Sequence, residues 1–354
     1  MCYIEEFNPN EASSTVWDAY HELRELYYKE LFPTDLLPPR EYVEQEMCTS
    51  SQEKTFQRLL LFADEDRTKL VGSTELKYST DDDPAFNQNK HKAEALIVVH
   101  KEYRNQGKGK LLLDQVLEEV RKIGRTVLEV WSSHPAGIAV CEHYGGQVVI
   151  HASQNRLQLN EINGELVNHW VTEGQQKNVS TSLVVCDEVP EDDLGSFCDA
   201  MNAAAQTAPT GGLGSVRLVT PERRRKRERQ DRKEGKERIT LFAQEPDGRV
   251  SGITEMIFIP QLSDRINQGW TGVRAEDRGR GLGKWLKAQM LVLVQERYPS
   301  VSFVITGNAD SNDSMLSINR RLGFKTYSSG IGFMFNVNEL ANQLGKPQSG
   351  QNTR

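Results

Sequence analysis

The spacing of apolar positions divides the chain into short alternating strands and amphipathic helices. Tyr3–Phe7 fits a short strand and Ala12–Leu31 an amphipathic helix. Pro33, Pro38 and Pro39 interrupt the pattern before a second helix near Glu41–Cys48. Arg58–Ala63 and Lys69–Lys77 read as a hairpin pair, and Ala93–Val99 as a further strand. A helix over Gly107–Lys122 follows, with Leu111, Leu112, Val116 and Val120 on one apolar stripe. Thr126–Ser132 is predicted as a strand, Ala136–Tyr144 as a short helix and Gln147–Leu159 as closing strands.

The second half runs through the same order. Strand Ser182–Cys186 and helix Asp192–Ala204 lead into a loop at Gln206–Gly214 and a basic helix opening at Thr220-Pro221-Glu222. Strands follow at Ile239–Gln244, Val250–Phe258 and Gly269–Arg274, then helix Gly281–Glu296, strand Ser302–Thr306 and helix Ser314–Leu322. Strands from Lys325 to Val337 complete it. Four short segments also recur in register. Val71–Leu76 matches Ser251–Met256, Arg104–Lys110 matches Arg278–Lys284, Glu142–Gly146 matches Arg320–Phe324, and Ile162–Asn168 matches Val337–Asn342. One such match is weak; four in the same order identify a duplicated unit. The expected division is a first domain over 1–172, a linker at 173–180, a second domain over 181–344 and a disordered polar tail at 345–354.

In both halves a strand feeds an Arg-x-x-Gly-x-Gly loop that opens a helix. The first loop carries Arg104, Gly107, Lys108, Gly109 and Lys110; the second carries Arg278, Gly279, Arg280, Gly281, Leu282, Gly283 and Lys284. Glycines let backbone amides approach a phosphate closely, and the helix start adds free N–H groups and the positive dipole end. A diphosphate is the natural ligand. Neither loop fits a dinucleotide GxGxxG with its downstream acid, and Leu111 and Trp285 stand where a Walker loop needs Ser or Thr.

Composition narrows the field further. No apolar run reaches the roughly 20 residues of a membrane span, and MCYIEEFNPNE lacks the basic start and apolar middle of a signal peptide. Cys2, Cys48, Cys141, Cys186 and Cys198 show neither CxxC spacing nor histidine partners, so no metal and no disulfide framework is expected, and a reducing cytoplasm is the expected compartment. A net charge of −7 gives no global attraction to nucleic acid. Arg223–Arg238 runs against that balance, but acids at 228, 231, 234 and 237 are interleaved at helical spacing. The reading is a solvated helix laced with ion pairs, with a nucleic-acid or acidic-partner surface as the alternative.

These loops, with an Asn-bearing strand end and Leu-Gly-Phe downstream, resemble the acetyl-CoA-binding region of the GNAT superfamily. The second half is similar to tandem GNAT proteins of the mycothiol synthase type through Thr271-Gly272-Val273, Asp277–Gly283, Asn308, Asn312 and Met315–Phe324. Met201-Asn202 and Ala208–Leu213 resemble the acceptor-side loop of those proteins. The resemblance implies an α+β (α/β mixed) fold: two tandem GNAT domains, each a mixed, mostly antiparallel twisted sheet flanked by helices. It implies acetyl-CoA as donor, held by the two loops with Val273, Asn308 and Asn312, and a primary amine as acceptor, on a small molecule or alternatively on a protein. An amine with a pKa near 10.4 costs about 4 kcal/mol to neutralise at pH 7, so a base is needed. Glu255 is the candidate, with an exposed, salt-bridged strand glutamate as the alternative; Glu75 is its counterpart. Where the family carries a thiolate-protonating tyrosine, this chain has Asn319 and, in the first half, Cys141. Catalysis is expected mainly in the second half, and a non-catalytic CoA-binding or interaction module is the alternative from another class.

Overall fold

The computed structural model describes residues 2–209, 212–213 and 218–345. The chain forms two compact units, the first built on residues up to His151 and from Gly330 onward, the second on Ala152 to Ser329 apart from a short stretch after Thr210. The division is therefore not the 1–172 and 181–344 split expected from sequence.

In the first unit, β1 (Tyr3–Glu6), β2 (Lys54–Phe62), β3 (Leu70–Ser79) and β4 (Lys92–Val99) pair antiparallel in succession. β4 then pairs parallel with β5 (Val127–Ser132). Helices α1 (Ser14–Leu31) and α2 (Arg40–Cys48) sit between β1 and β2, with a short α3 (Phe86–Asn89) before β4. The crossover from β4 to β5 is α4 (Lys108–Lys122), and α5 (Pro135–His143) follows β5. α4 buries Leu112, Leu113, Val116, Leu117 and Val120. Leu111, placed on that stripe by sequence, stays 37% exposed.

The predicted closing strands at 147–159 are one strand, β6 (Gln147–Gln158). A helix that the sequence reading missed follows it, α6 (Gly164–Lys177), capped by Asn163 and running into the expected linker. In the second unit, β7 (Ser182–Cys186), β8 (Glu237–Gln244), β9 (Val250–Phe258) and β10 (Arg265–Val273) pair antiparallel in turn. α7 (Glu191–Gln206) and α8 (Pro221–Lys233) lie between β7 and β8. α9 (Leu282–Arg297) crosses from β10 to β11 (Phe303–Ala309), which lies parallel to β10. α10 (Asp313–Leu322), β12 (Lys325–Asn336) and α11 (Val337–Leu344) end the described chain.

Each sheet is closed by the strand of the other half. Residues 331–336 of β12 pair with β5 in the first unit, while 152–158 of β6 pair with β11 in the second. The helices after those strands follow them. Val337, Leu340 and Leu344 of α11 join the α4 core of the first unit. Val167 and Trp170 of α6 join the core around Trp285, Leu286 and Met290 of α9. The match of Ile162–Asn168 with Val337–Asn342 finds a structural basis here, since α6 and α11 are equivalents that have changed places.

The α6–α9 contact is close. A Cβ on Gly174 would stand 2.2 Å from the Cγ of Trp285. Gly174→Val should therefore lower stability by about 1–3 kcal/mol through overpacking, although valine is the better helix former. Urea unfolding followed by tryptophan fluorescence checks this; an unchanged midpoint contradicts the contact.

Candidate functional site

The two glycine loops share one backbone path. Gly279 and Gly281 have φ of +82° each, and their equivalents Asn105 and Gly107 have +58° and +76°. Asn tolerates the left-handed region better than most side chains, which is how the first loop keeps this path with one glycine fewer. Gly281 and Gly107 are the N-caps of α9 and α4, and neither helix has a side-chain cap. The amides opening these helices are therefore presented to an incoming anion at the positive dipole end.

The second unit adds a cleft to its loop. The parallel register of β10 and β11 holds only from Arg265–Asn267 against Phe303–Ile305. Beyond it the strands part, and a cleft of about 840 Å³ is lined from Gln268 to Val273 on one side and from Thr306 to Ala309 on the other. The pairing of β10 with β9 slips between Gln268 and Thr271, so a bulge falls where the cleft begins. Arg278, Gly279, Gly281, Leu282, Gly283, Lys284, Asn308 and Asn312 line the same cleft. Val273 lies beside Gly283 on its wall. In the first unit β4 parts from β5 beyond Ala95 and Val130, but its register with β3 is continuous from Glu94 to Val99.

The leading arginines differ in their partners. Arg278 donates to Thr207 Oγ1 at 2.7 Å and to the Val273 carbonyl at 3.4 Å, with no carboxylate against it among the described residues. Its charge is available to a phosphate. Arg104 instead grips Glu30 through both Nη atoms, at 2.7 and 2.6 Å, and lies 3.2 Å from His134. This pairing with Arg104 holds the Glu30 carboxyl down at about 2. Lys108 opens α4 beside Gly109, and Lys110 is bound to Asp114 at 2.7 Å.

Three predicted side chains do other work. Arg280 points behind the loop, donating to Asn178, Thr181, Glu245 and Asp277 at 2.8–3.1 Å. It braces the turn from inside and does not line the cleft. Glu255 is not at the cleft either. It is 1% exposed on the opposite face of β9, where Arg224 donates to it at 2.6 Å, Thr240 at 3.1 Å, and Arg238 lies at 3.4 Å. Glu255 is therefore a salt-bridged glutamate that is buried and does not line the cleft, which does not suit a base for an amine there; Glu75 is likewise bound to Arg58 at 2.7 Å. Asn319 is 1% exposed and donates to Asn308 Oδ1 at 2.8 Å, while its own Oδ1 is buried without a partner. Its place is beneath Asn308, orienting that cleft residue.

The other expectations resolve simply. Asn312 caps α10. Asn202 is latched to the backbone of Val219 at 2.8 and 2.9 Å, while Ala208 and Pro209 reach the cleft; Thr210 and Gly211 of that loop, and 346–354 of the tail, lie outside the described residues. Burial pushes the Cys141 thiol up to about 12, which makes it inert. The basic helix is not solvated all round: Arg224, Glu228 and Asp231 are buried, and Arg225 pairs with Glu191 and Glu228. No helix among the described residues is long and apolar enough to cross a membrane.

Sequence reasoning missed Lys287. It lines the cleft from the second turn of α9, is 1% exposed, and donates to Gln268 Oε1 at 3.3 Å over the Phe324 ring. In sequence it is one more polar residue on an apolar helix.

Each unit thus has the strand order, splayed parallel pair and phosphate-type loop of the GNAT fold, and the chain has a tandem GNAT fold. The Acetyltransferase (GNAT) family model matches residues 17–145. Over 95% of this chain and 99% of the other, the fold matches a tandem GNAT protein from the clavulanic acid biosynthesis pathway, at 19% identity and a TM-score of 0.72. A GCN5-related N-acetyltransferase from Sphaerobacter thermophilus matches over 95% and 96% at 16% identity and a TM-score of 0.65. A glucosamine N-acetyltransferase region of a fungal multi-domain β-N-acetylglucosaminidase matches over 94% of this chain and 38% of that one, at 16% identity and a TM-score of 0.61. No curated protein matches the sequence.

Burial pushes the Lys287 ammonium down from 10.5 to about 7. Between those values the unfolded chain holds a proton that the folded one lacks, so stability should rise as pH goes from 7 to 10.5. Lys287→Met should remove that rise, worth a few kcal/mol, from the urea-unfolding profile. Parallel profiles for the two proteins rule the displaced titration out.

Proposed function

We propose that the chain is an N-acetyltransferase that moves an acetyl group from acetyl-CoA to a primary amine of a small molecule, with the chemistry in the second unit. The observation that carries this reading is the uncapped α9 N-terminus, with Gly279, Gly281 and unpaired Arg278, opening directly onto the β10–β11 cleft. The amides of Gly281, Leu282 and Gly283 suit a diphosphate, and Arg278 and Lys284 add charge beside them. Gln268–Val273, with its bulge, offers backbone groups to an extended arm and to an oxygen bearing developing charge. The donor supplies an activated acyl group; the chain holds it, excludes water and positions the amine.

The first unit keeps the loop but commits Arg104 to Glu30 and lacks the bulge, which favours a scaffold or second donor site there. The resemblance of the second half to mycothiol synthase-type domains supports a small-molecule acceptor, as does the printed description of one similar fold as a glucosamine N-acetyltransferase region. The ion pairs that occupy α8 leave little of its charge for nucleic acid, and five free cysteines suit a reducing cytoplasm.

Gly281→Glu places a carboxylate in the cradle and a side chain at a positive φ. It should abolish acetyl-CoA binding to the second unit by isothermal titration, while Gly107→Glu leaves that site intact; equal affinity in Gly281→Glu and the parent sinks the assignment. Release of the CoA thiol with a panel of amines tests turnover. Binding without turnover across sugar, amino-acid and polyamine acceptors favours a non-catalytic module.

A further inference from the structure

The cleft has no tyrosine at the position that resembles the proton-donating one, and Asn319, which replaces it, is committed to Asn308. A departing thiolate still needs a proton. Among the described residues, four ionisable side chains line the cleft: Asp277, Arg278, Lys284 and Lys287. Asp277 is held at the loop by Arg249 and Arg280, which lower its pKa and keep it an acceptor. Arg278 is engaged at the loop, donating to Thr207 Oγ1 and the Val273 carbonyl. Lys284 is half-buried at the rim, 5.8 Å from the Trp170 ring.

Lys287 differs from all three. It is fully buried yet reaches the cleft, at the point where β10 and β11 part and where Gln268 begins the bulge. Gln268 holds it as part of a fixed chain, since the Gln268 amide nitrogen donates to the Glu255 carbonyl at 2.7 Å and to Thr254 Oγ1 at 3.1 Å. That leaves Gln268 Oε1 to accept from the lysine at 3.3 Å. The remaining neighbour on the page is the face of Phe324, 5.2 Å from Nζ. No carboxylate from β9, β10, β11 or the Phe324 segment pairs with it among the described residues, where Gln268 Oε1 is its hydrogen-bond acceptor.

We propose that Lys287 is the acid that protonates the departing sulfur in the second unit, taking the part of the missing tyrosine. This rests on the reading of the cleft as a coenzyme A site. As the new N–C bond forms, the C–S bond breaks and its electron pair stays on sulfur. Lys287 Nζ gives that sulfur a proton and becomes a neutral amine. The attacking nitrogen releases one proton to solvent, and Lys287 regains one through the open cleft, so the sum is balanced. Burial, which pushes this ammonium down to about 7, makes the proton easy to give at neutral pH.

The test uses free coenzyme A, and no acceptor is needed. Thiolate absorbance of enzyme-bound coenzyme A is followed against pH, with desulfo-coenzyme A as the blank, for the full-length parent protein and Lys287→Met. Methionine fills the same volume without the charge, and Lys287→Gln serves if the first variant does not fold. In the parent, the bound thiol should ionise at least tenfold more readily at neutral pH than free coenzyme A; in either variant this gain should vanish while coenzyme A affinity persists. If the thiol titrates alike in parent and variant, or no more readily than free coenzyme A, Lys287 is not the acid and the cofactor reading stands. If the parent takes up no coenzyme A, both fall.

Discussion

Three paired residues hold β10 to β11, and the rest of the candidate site follows from the pairing stopping there. Past Asn267 and Ile305 each strand keeps its outer neighbour but loses its inner one, which leaves main-chain donors and acceptors facing the cleft. Buried backbone groups without partners are costly, so such a slot is stable only where water or an extended ligand completes the ladder. The α9 N-terminus stands at one end of the slot and Lys287 lines its inner part, so diphosphate affinity and proton chemistry lie along a single groove.

The loop that opens the groove is built for backbone recognition, with its side chains turned to support. Arg280 and Asp277 tie the turn to Glu245, Thr181, Asn178 and Arg249 from behind, which fixes its amides before any ligand arrives. Preorganisation of this kind lowers the ordering cost of binding. The first unit shows the same backbone path with the opposite electrostatics. Glu30 occupies Arg104 as a carboxylate, where an anionic ligand of that loop would need the same guanidinium. A duplicated fold has thus kept its geometry in both copies while the available charge differs.

The buried network around Glu255 explains why one plausible base was misplaced. Alternation along β9 puts Glu255 and Thr254 on opposite faces, but a period of two does not say which face meets a cleft and which meets α8. Arg224, one turn into a helix that composition marked as solvated, reaches Glu255 and Thr240 of the sheet and pairs with Glu228 on its own helix. A charge run on a helix reveals neither its buried face nor the acids waiting there. The same blindness applied to Lys287, whose neighbours are all apolar in sequence and whose role depends on Gln268 and Phe324, 19 and 37 positions away.

Hydrophobic periodicity and the glycine pattern were enough to determine the duplication, the strand and helix order of each half apart from α3, α6 and α11, and the two phosphate-type loops, because each depends on residues within a few turns of one another. The partners of β6 and β12, the exchange of α6 and α11, the commitment of Arg104 and Glu255, and the burial of Lys287 were decided only in three dimensions. Pattern tells a segment that it has an apolar face and a free edge; which distant edge or carboxylate satisfies it depends on how the whole chain closes, and local spacing carries no record of that choice.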